Sequence, residues 1–371
     1  MSGLFGSRWI RIYLVPGAVF QSVMIGGGYG TGREIIQYFT SFGFLGGALG
    51  IGIAFLLMAT VLALTFELSR LTRSYDYRNF FKHLLGRGWI AYELMVILMF
   101  LLVLAVLASA AGNILRENLR IPYFAGIIAM LACIGILTFY GRELIAKVLT
   151  VWSLFLYVVF ITFFIIVFAH AGDTIQQQIS TGEIVAGWAK SGFKYGAYNM
   201  AAVPLLLYVA RGFETRREAT VSGLIAAVIA LLPGLIFHVS FFAAYPEILV
   251  KPIPVYWMMN QLGMTVLIVV YSIMLFGTFI ETGAGMLQGI NDRLDAYLTE
   301  SRGQGLSRLM HAGIAVSAVS VSAILSLVGI TKLIAEGYGT MAWIFFFIYI
   351  VPLATIGLRK ILTSNGRQPT A

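Results

Sequence analysis

The chain has 371 residues, 59% of them hydrophobic and 11% charged, against about 25% charged in an ordinary soluble domain. Apolar runs long enough to cross a hydrocarbon core of about 30 Å recur along its length and leave no soluble domain over, which excludes a soluble enzyme. The net charge of +9 is explained by topology and not by a nucleic-acid partner.

Ten apolar segments are predicted, at 14–42, 44–69, 89–115, 121–140, 143–170, 192–213, 218–244, 262–290, 309–328 and 332–358. Unpaired backbone groups cost several kcal/mol each in lipid, so the segments must be helices or broken helices. The expected fold class is an all-α integral membrane protein forming one transmembrane domain over 1–371. With the N-terminus inside, eighteen Lys and Arg fall on the inner face and six on the outer, as positive-inside topology requires. Both termini are therefore expected in the cytoplasm, with the chain multi-pass in the cytoplasmic (inner) membrane. The run from Leu14 is too long for a signal-peptide core, so the first segment is expected to stay in the mature protein. A single cysteine, Cys133, rules out an internal disulfide and a cysteine metal cluster.

The first segment is interrupted by "GGGYGTG", with glycine at 26, 27, 28, 30 and 32. Twelve residues from Leu14 to Ile25 rise roughly 18 Å, which places the cluster near mid-bilayer. Adjacent glycines weaken a helix, and unwound backbone at that depth must line protein or a water-filled cavity. A second half-helix beginning near Thr31 would present N–H groups to a carboxylate, while freed carbonyls would suit a small cation. Potassium-filter and dinucleotide-binding readings of this stretch fail on context and spacing. The same "GYGT" recurs at Gly337–Thr340 and is read as coincidence.

In the second segment Gly43, Gly46, Gly47 and Gly50 are expected to serve close helix packing. The following inner connection carries Phe80, Phe81, Leu84 and Leu85 between basic residues and predicts a short interfacial helix. The sixth segment has Tyr195, Tyr198 and Asn199 followed by Pro204, which cannot donate to the Met200 carbonyl, so a second discontinuity is predicted there. Interruptions in the first and sixth of ten segments point to a five-plus-five inverted repeat, about 14–170 and 192–360, with a midplane site.

Ionisable residues within spans are functional candidates. Glu281 lies mid-way along the eighth segment with Thr278 and Thr282 nearby, a group able to couple a sodium ion or proton. Arg33 and Glu34 open the second half-helix and are expected to face the outer vestibule as a gate, with Glu336 as a partner. His238 is expected to be a hydrogen-bonded core residue, and Glu67 and Glu93 to pair with arginines.

"GGGYGTGREI" at Gly26–Ile35 resembles the "GAGFASGQEI" segment of the YkvI-like bacterial membrane proteins, in the amino acid–polyamine–organocation superfamily with the LeuT fold. "YNMAAVP" from Tyr198 is similar to the "YNLALAP" segment of that family, and "ETGAGMLQGINDRL" from Glu281 to its "TTAVGNVYGLAKRI". The resemblance implies substrate held between the first, third, sixth and eighth helices, and alternating access. Glu281 and Thr282 stand where the family pattern has two threonines, which favours a carboxylate-assisted sodium site or proton coupling. The Asp-Pro-Gly-Asn motif of metal-ion relatives is absent.

The expected function is secondary active transport of an amino acid or related small carboxylate-bearing solute, with a nutrient sensor of the same fold as the alternative. The substrate site would comprise Ile25, Gly26, Gly27, Gly28, Tyr29, Gly30, Thr31, Tyr198 and Asn199. The partners expected are the small-molecule substrate and the lipid bilayer. No cofactor or metal site is expected beyond the coupling sodium ion or proton.

Overall fold

The computed structural model describes the backbone of residues 7–140, 142–302 and 305–364, and side-chain surroundings within these ranges except at 27, 118–119, 137–157, 205, 281, 292, 296–297, 300–302 and 308. Every regular element among the described residues is helical.

The first segment comprises α1 (Arg8–Tyr13), α2 (Val15–Met24), the single turn α3 (Gly27–Gly30) and α4 (Arg33–Tyr38). Helix α2 stops where Ile25 leaves helical geometry (φ −74°, ψ 74°) and the Gly26 N–H turns back to the Met24 carbonyl. Gly32 then adopts a left-handed conformation (φ 81°) before α4, as a residue without a Cβ can at little cost. Its missing Cβ also leaves room for the Phe241 ring, which lies 2.5 Å from where that atom would sit. The break is where the glycine cluster predicts it, but the chain re-forms one turn inside it and does not stay extended.

Next come α5 (Phe44–Thr72), α6 (Tyr77–Leu85), α7 (Trp89–Leu119), α8 (Tyr123–Tyr140) and α9 (Arg142–Ser180). Helix α6 occupies the predicted inner connection; Asp76 caps it by accepting from the Asn79 N–H, and Phe80, Phe81 and Leu84 are buried. Phe81 stacks on Tyr92 of α7 at 3.5 Å, so the apolar face of α6 packs on protein. Helix α9 continues ten residues past the expected end, through a non-helical Ala171, because "DTIQQQIS" is polar yet helix-compatible.

The second half contains α10 (Trp188–Asn199), α11 (Arg216–Phe241), α12 (Pro254–Gln261), α13 (Thr265–Arg302), α14 (Arg308–Ser326) and α15 (Ile330–Ser364). The α-helix of the sixth segment stops at Asn199, ahead of Pro204, where a discontinuity is predicted, but no gap opens. The chain instead tightens at Met200 into a 3₁₀ helix running to Gly212. Helix α15 carries π-type turns at Leu333–Tyr338, Phe346–Ile350 and Leu353–Gly357.

Seven helices among the described residues are long and apolar enough to cross a membrane. Large apolar side chains such as Leu56, Ile128, Ile165 and Leu309 are exposed on their outer faces, as lipid contact requires. Helix α5 packs closely on α10 and α11: a Cβ on Gly192 would lie 2.2 Å from the Gly50 carbonyl oxygen, and one on Gly47 2.2 Å from the His238 ring. His238 itself bonds Thr40 at 3.1 Å and the Phe44 carbonyl at 2.9 Å, the hydrogen-bonded core role its sequence context suggests.

Candidate functional site

The first-helix break faces a cavity of about 60 Å³. Val23, Met24, Gly26 and Glu34 line it from the first segment, Val96, Met99, Phe100 and Val103 from α7, and Tyr198, Asn199, Ala201 and Ala202 from the sixth segment. Thr282 and Met286 of α13 and Tyr338 of α15 complete the wall. One water needs roughly 10–15 Å³ by this measure. An amino acid would therefore enter only if the surrounding helices parted.

Glu34 is the charged residue of this wall. The left-handed turn at Gly32 folds the first turn of α4 back over α3, so Glu34 is buried at the cavity and does not face an outer vestibule. Its carboxylate accepts a hydrogen bond from the Tyr198 hydroxyl at 2.5 Å. A Cβ on Gly28 would fall 2.2 Å from Glu34 Oε1, so the glycine makes room for the carboxylate. The protein's own acid thus lies against the stretch expected to receive a substrate anion.

Around Glu34 the rings of Tyr38, Tyr195, Tyr198 and Tyr338 form one cluster, with Tyr198 and Tyr338 4.8 Å apart. The Tyr38 hydroxyl donates to the Ile334 carbonyl. The Tyr195 hydroxyl is buried with no hydrogen-bond partner among the described residues.

Other predicted site residues have different roles. Ile25 is buried beside the break, and Gly27 lies in α3. The Tyr29 ring packs against Phe237 and its hydroxyl donates to the Ala230 carbonyl, away from the cavity. The Thr31 hydroxyl donates to the Gly28 carbonyl, while the Tyr271 hydroxyl donates to the Gly30 carbonyl, so these freed carbonyls are satisfied within the protein. Asn199 lines the cavity and donates to the Tyr195 carbonyl. Thr282 lines the cavity, whereas Thr278 donates to the Met274 carbonyl on its own helix. Glu281 lies on the α13 backbone, and its side chain falls outside the described residues.

The expected gate does not assemble. Buried Arg33 donates to the carbonyls of Leu249 and Lys251 and to Gln37, stapling the connection between α11 and α12. Glu336 is exposed and lies 4.0 Å from Lys332, not beside Arg33 or Glu34. The residues missed from sequence include those of α7, Ala201, Ala202, Met286 and Tyr338.

No family model matches the chain. It is 25% identical over 344 residues to YkvI of Bacillus subtilis, an uncharacterised membrane protein, with 88% of this chain and 92% of that protein covered. In structure it is similar to a substrate-bound, outward-open Na+-coupled sialic acid symporter, with a TM-score of 0.61 at 14% identity over 91% of this chain and 78% of the other. It is also similar to a manganese transporter of Eremococcus coleocola in complex with an aromatic bis-isothiourea compound, with a TM-score of 0.50 at 13% identity over 98% and 90% of the two chains. The chain shares its fold with these two structures. At these identities the likeness is one of architecture, and the long apolar helices make the chain a multi-pass membrane protein.

Proposed function

We propose that the protein is a secondary active transporter of the amino acid–polyamine–organocation type, moving an amino acid or related small carboxylate-bearing solute across the cytoplasmic membrane by alternating access. The carrying observation is the break between α2 and α4, which lies against a cavity shared with α7, α10 and α13. Broken helices at such a shared cavity are how transporters expose polar backbone to a substrate at mid-membrane. Ten spans in two inverted sets of five, with both termini inside, fit the helical segments and the distribution of Lys and Arg.

The substrate would lie between Gly26, Tyr198, Asn199 and Thr282. Gly26 has open space where a Cβ would point, leaving its backbone accessible from the cavity. Apolar Met99, Val103 and Met286 favour a short aliphatic side chain over a polar one. The eighth-helix group of Glu281, Thr278 and Thr282 would couple a sodium ion or proton, Thr282 being its member at the cavity wall.

The test is a thermal-shift screen of the purified full-length protein against amino acids and related acids at varied sodium and pH, followed by uptake of each stabilising compound into proteoliposomes. A true substrate raises the melting temperature by mass action and accumulates under an imposed gradient. If no compound both stabilises the protein and accumulates, the transport reading fails. If Glu281→Gln keeps full gradient dependence, the coupling assignment to that residue fails.

A further inference from the structure

We infer that Glu34 is a proton-binding site that latches the first-helix break to the sixth segment, closed when its carboxyl is ionised and released when it takes up a proton. The coupling half of this inference rests on the transporter reading, whereas the proton site itself does not.

Three observations carry it. First, Glu34 is 4% exposed and lines the cavity, a space with room for water. Second, among the described residues its hydrogen-bond donor is neutral, the Tyr198 hydroxyl. Third, the cavity wall contains no basic side chain among the described residues, so no fixed positive charge neutralises the carboxylate.

The titratable groups facing Glu34 among the described residues are tyrosines: Tyr38 from α4, Tyr195 and Tyr198 from α10, and Tyr338 from α15. Nearby charged or basic groups on the packed elements point elsewhere. Arg33 directs its terminal nitrogens to Leu249, Lys251 and Gln37, with its Nε buried and unpartnered among the described residues; His238 of α11 bonds Thr40 and Phe44, and Lys251 bonds Glu247. Lys194 of α10 lies against Gly339, and Lys332 and Glu336 pair at the surface.

A buried charge without a partner must be hydrogen-bonded or neutralised. Ionised Glu34 accepts a charge-assisted hydrogen bond, roughly twice as strong as a neutral one, and so holds Tyr198 to the first-helix break. A proton delivered as hydronium moves onto one carboxyl oxygen, breaking an O–H bond of the hydronium, forming the carboxyl O–H and leaving water. The bond to Tyr198 then becomes an ordinary one, and the protonated oxygen becomes a donor. The unpartnered Tyr195 hydroxyl gives the loosened cluster a further hydrogen-bonding group. When the helices part, the proton returns to water on the opposite side.

The probe is the proton itself, read by infrared difference spectroscopy of the full-length protein in liposomes as pH is stepped. The wild type should show a protonated-carboxyl C=O band that grows reversibly as pH falls. The Glu34 component is the part of that band present in wild type and missing from Glu34→Gln, and it should shift in frequency in Tyr198→Phe, which keeps the carboxyl but removes its hydroxyl donor. Identical bands in wild type and Glu34→Gln, or a Glu34 component unmoved in Tyr198→Phe, overturn the inference. The Glu34 component behaving as expected without uptake of any screened amino acid upholds the proton site and removes the transport reading. Uptake without the Glu34 component upholds transport and removes the proton site.

Discussion

The Tyr198 hydroxyl donates to the Glu34 carboxylate across 164 positions of sequence, tying the fourth helix to the sixth segment at the edge of the central cavity. Tyr198→Phe removes this donor and leaves one oxygen of a buried acid unmatched. A hydrogen bond to a charged group contributes about 1.5–3 kcal/mol. The variant should therefore melt at a lower temperature at neutral pH, with the difference narrowing as the medium is acidified and the acid neutralised. An equal loss at every pH would show that the bond does not depend on Glu34 charge.

Gly28 and Gly26 should respond differently to alanine, although both belong to the glycine cluster. A Cβ at Gly28 would fall 2.2 Å from Glu34 Oε1 and 2.8 Å from its Cδ, while one at Gly26 meets nothing within 4 Å. Overpacking costs typically about 1–3 kcal/mol. Gly28→Ala should lower the melting temperature and displace the acid, whereas Gly26→Ala should fold as wild type and lose substrate binding by narrowing the cavity. Melting curves combined with ligand-induced shifts separate the two effects, and matching behaviour would refute the assignment of Gly28 to accommodating the carboxylate.

The break itself was legible because its cause is local. Five glycines within seven residues disfavour a helix whatever surrounds them, and hydropathy alone places them near mid-bilayer. The aim of Glu34 was not legible, because it follows from the left-handed turn at Gly32 and from the Phe241 ring that occupies the space beside it. Tyr338 was missed for a different reason: it reaches the cavity from the far end of the chain, and only the fold brings it there. Pro204 shows the limit of reading a residue by what it forbids. Loss of one N–H removed an α-helical bond, but a 3₁₀ helix absorbed the change without a gap.

Gly32 should be the least replaceable glycine of the cluster. A non-glycine residue held at φ 81° costs roughly 1–2 kcal/mol, and its Cβ would in addition lie 2.5 Å from Phe241. Gly32→Ala should destabilise more than Gly26→Ala, and shortening the ring in Gly32→Ala/Phe241→Leu should restore the steric part only. Full recovery in the double variant would show that backbone strain at this turn is negligible.

Where α7 and α13 meet α6, Arg293 bonds Glu93 at 2.9 Å and lies 3.8 Å over the Tyr77 ring of α6. The Tyr77 hydroxyl donates to Glu93 as well, so one acid joins α6, α7 and α13. The Arg293 side chain is 4% exposed and that of Glu93 15%, so removing one partner strands a largely buried charge, at a cost of about 3–5 kcal/mol. Arg293→Gln and Glu93→Gln should each lower stability strongly, and the double variant should be more stable than the sum of the two single losses predicts. Because α7 and α13 also wall the cavity, the single variants should increase labelling of a cysteine placed at Ala202 in a Cys133→Ser background. The exposed pair Lys332 and Glu336, with side chains 62% and 70% exposed, provides the contrast, since such pairs contribute little. Glu336→Gln should leave both melting and labelling unchanged. Additive single and double losses, or equal effects at Glu93 and Glu336, would rule out the buried pair as a lock on the cavity.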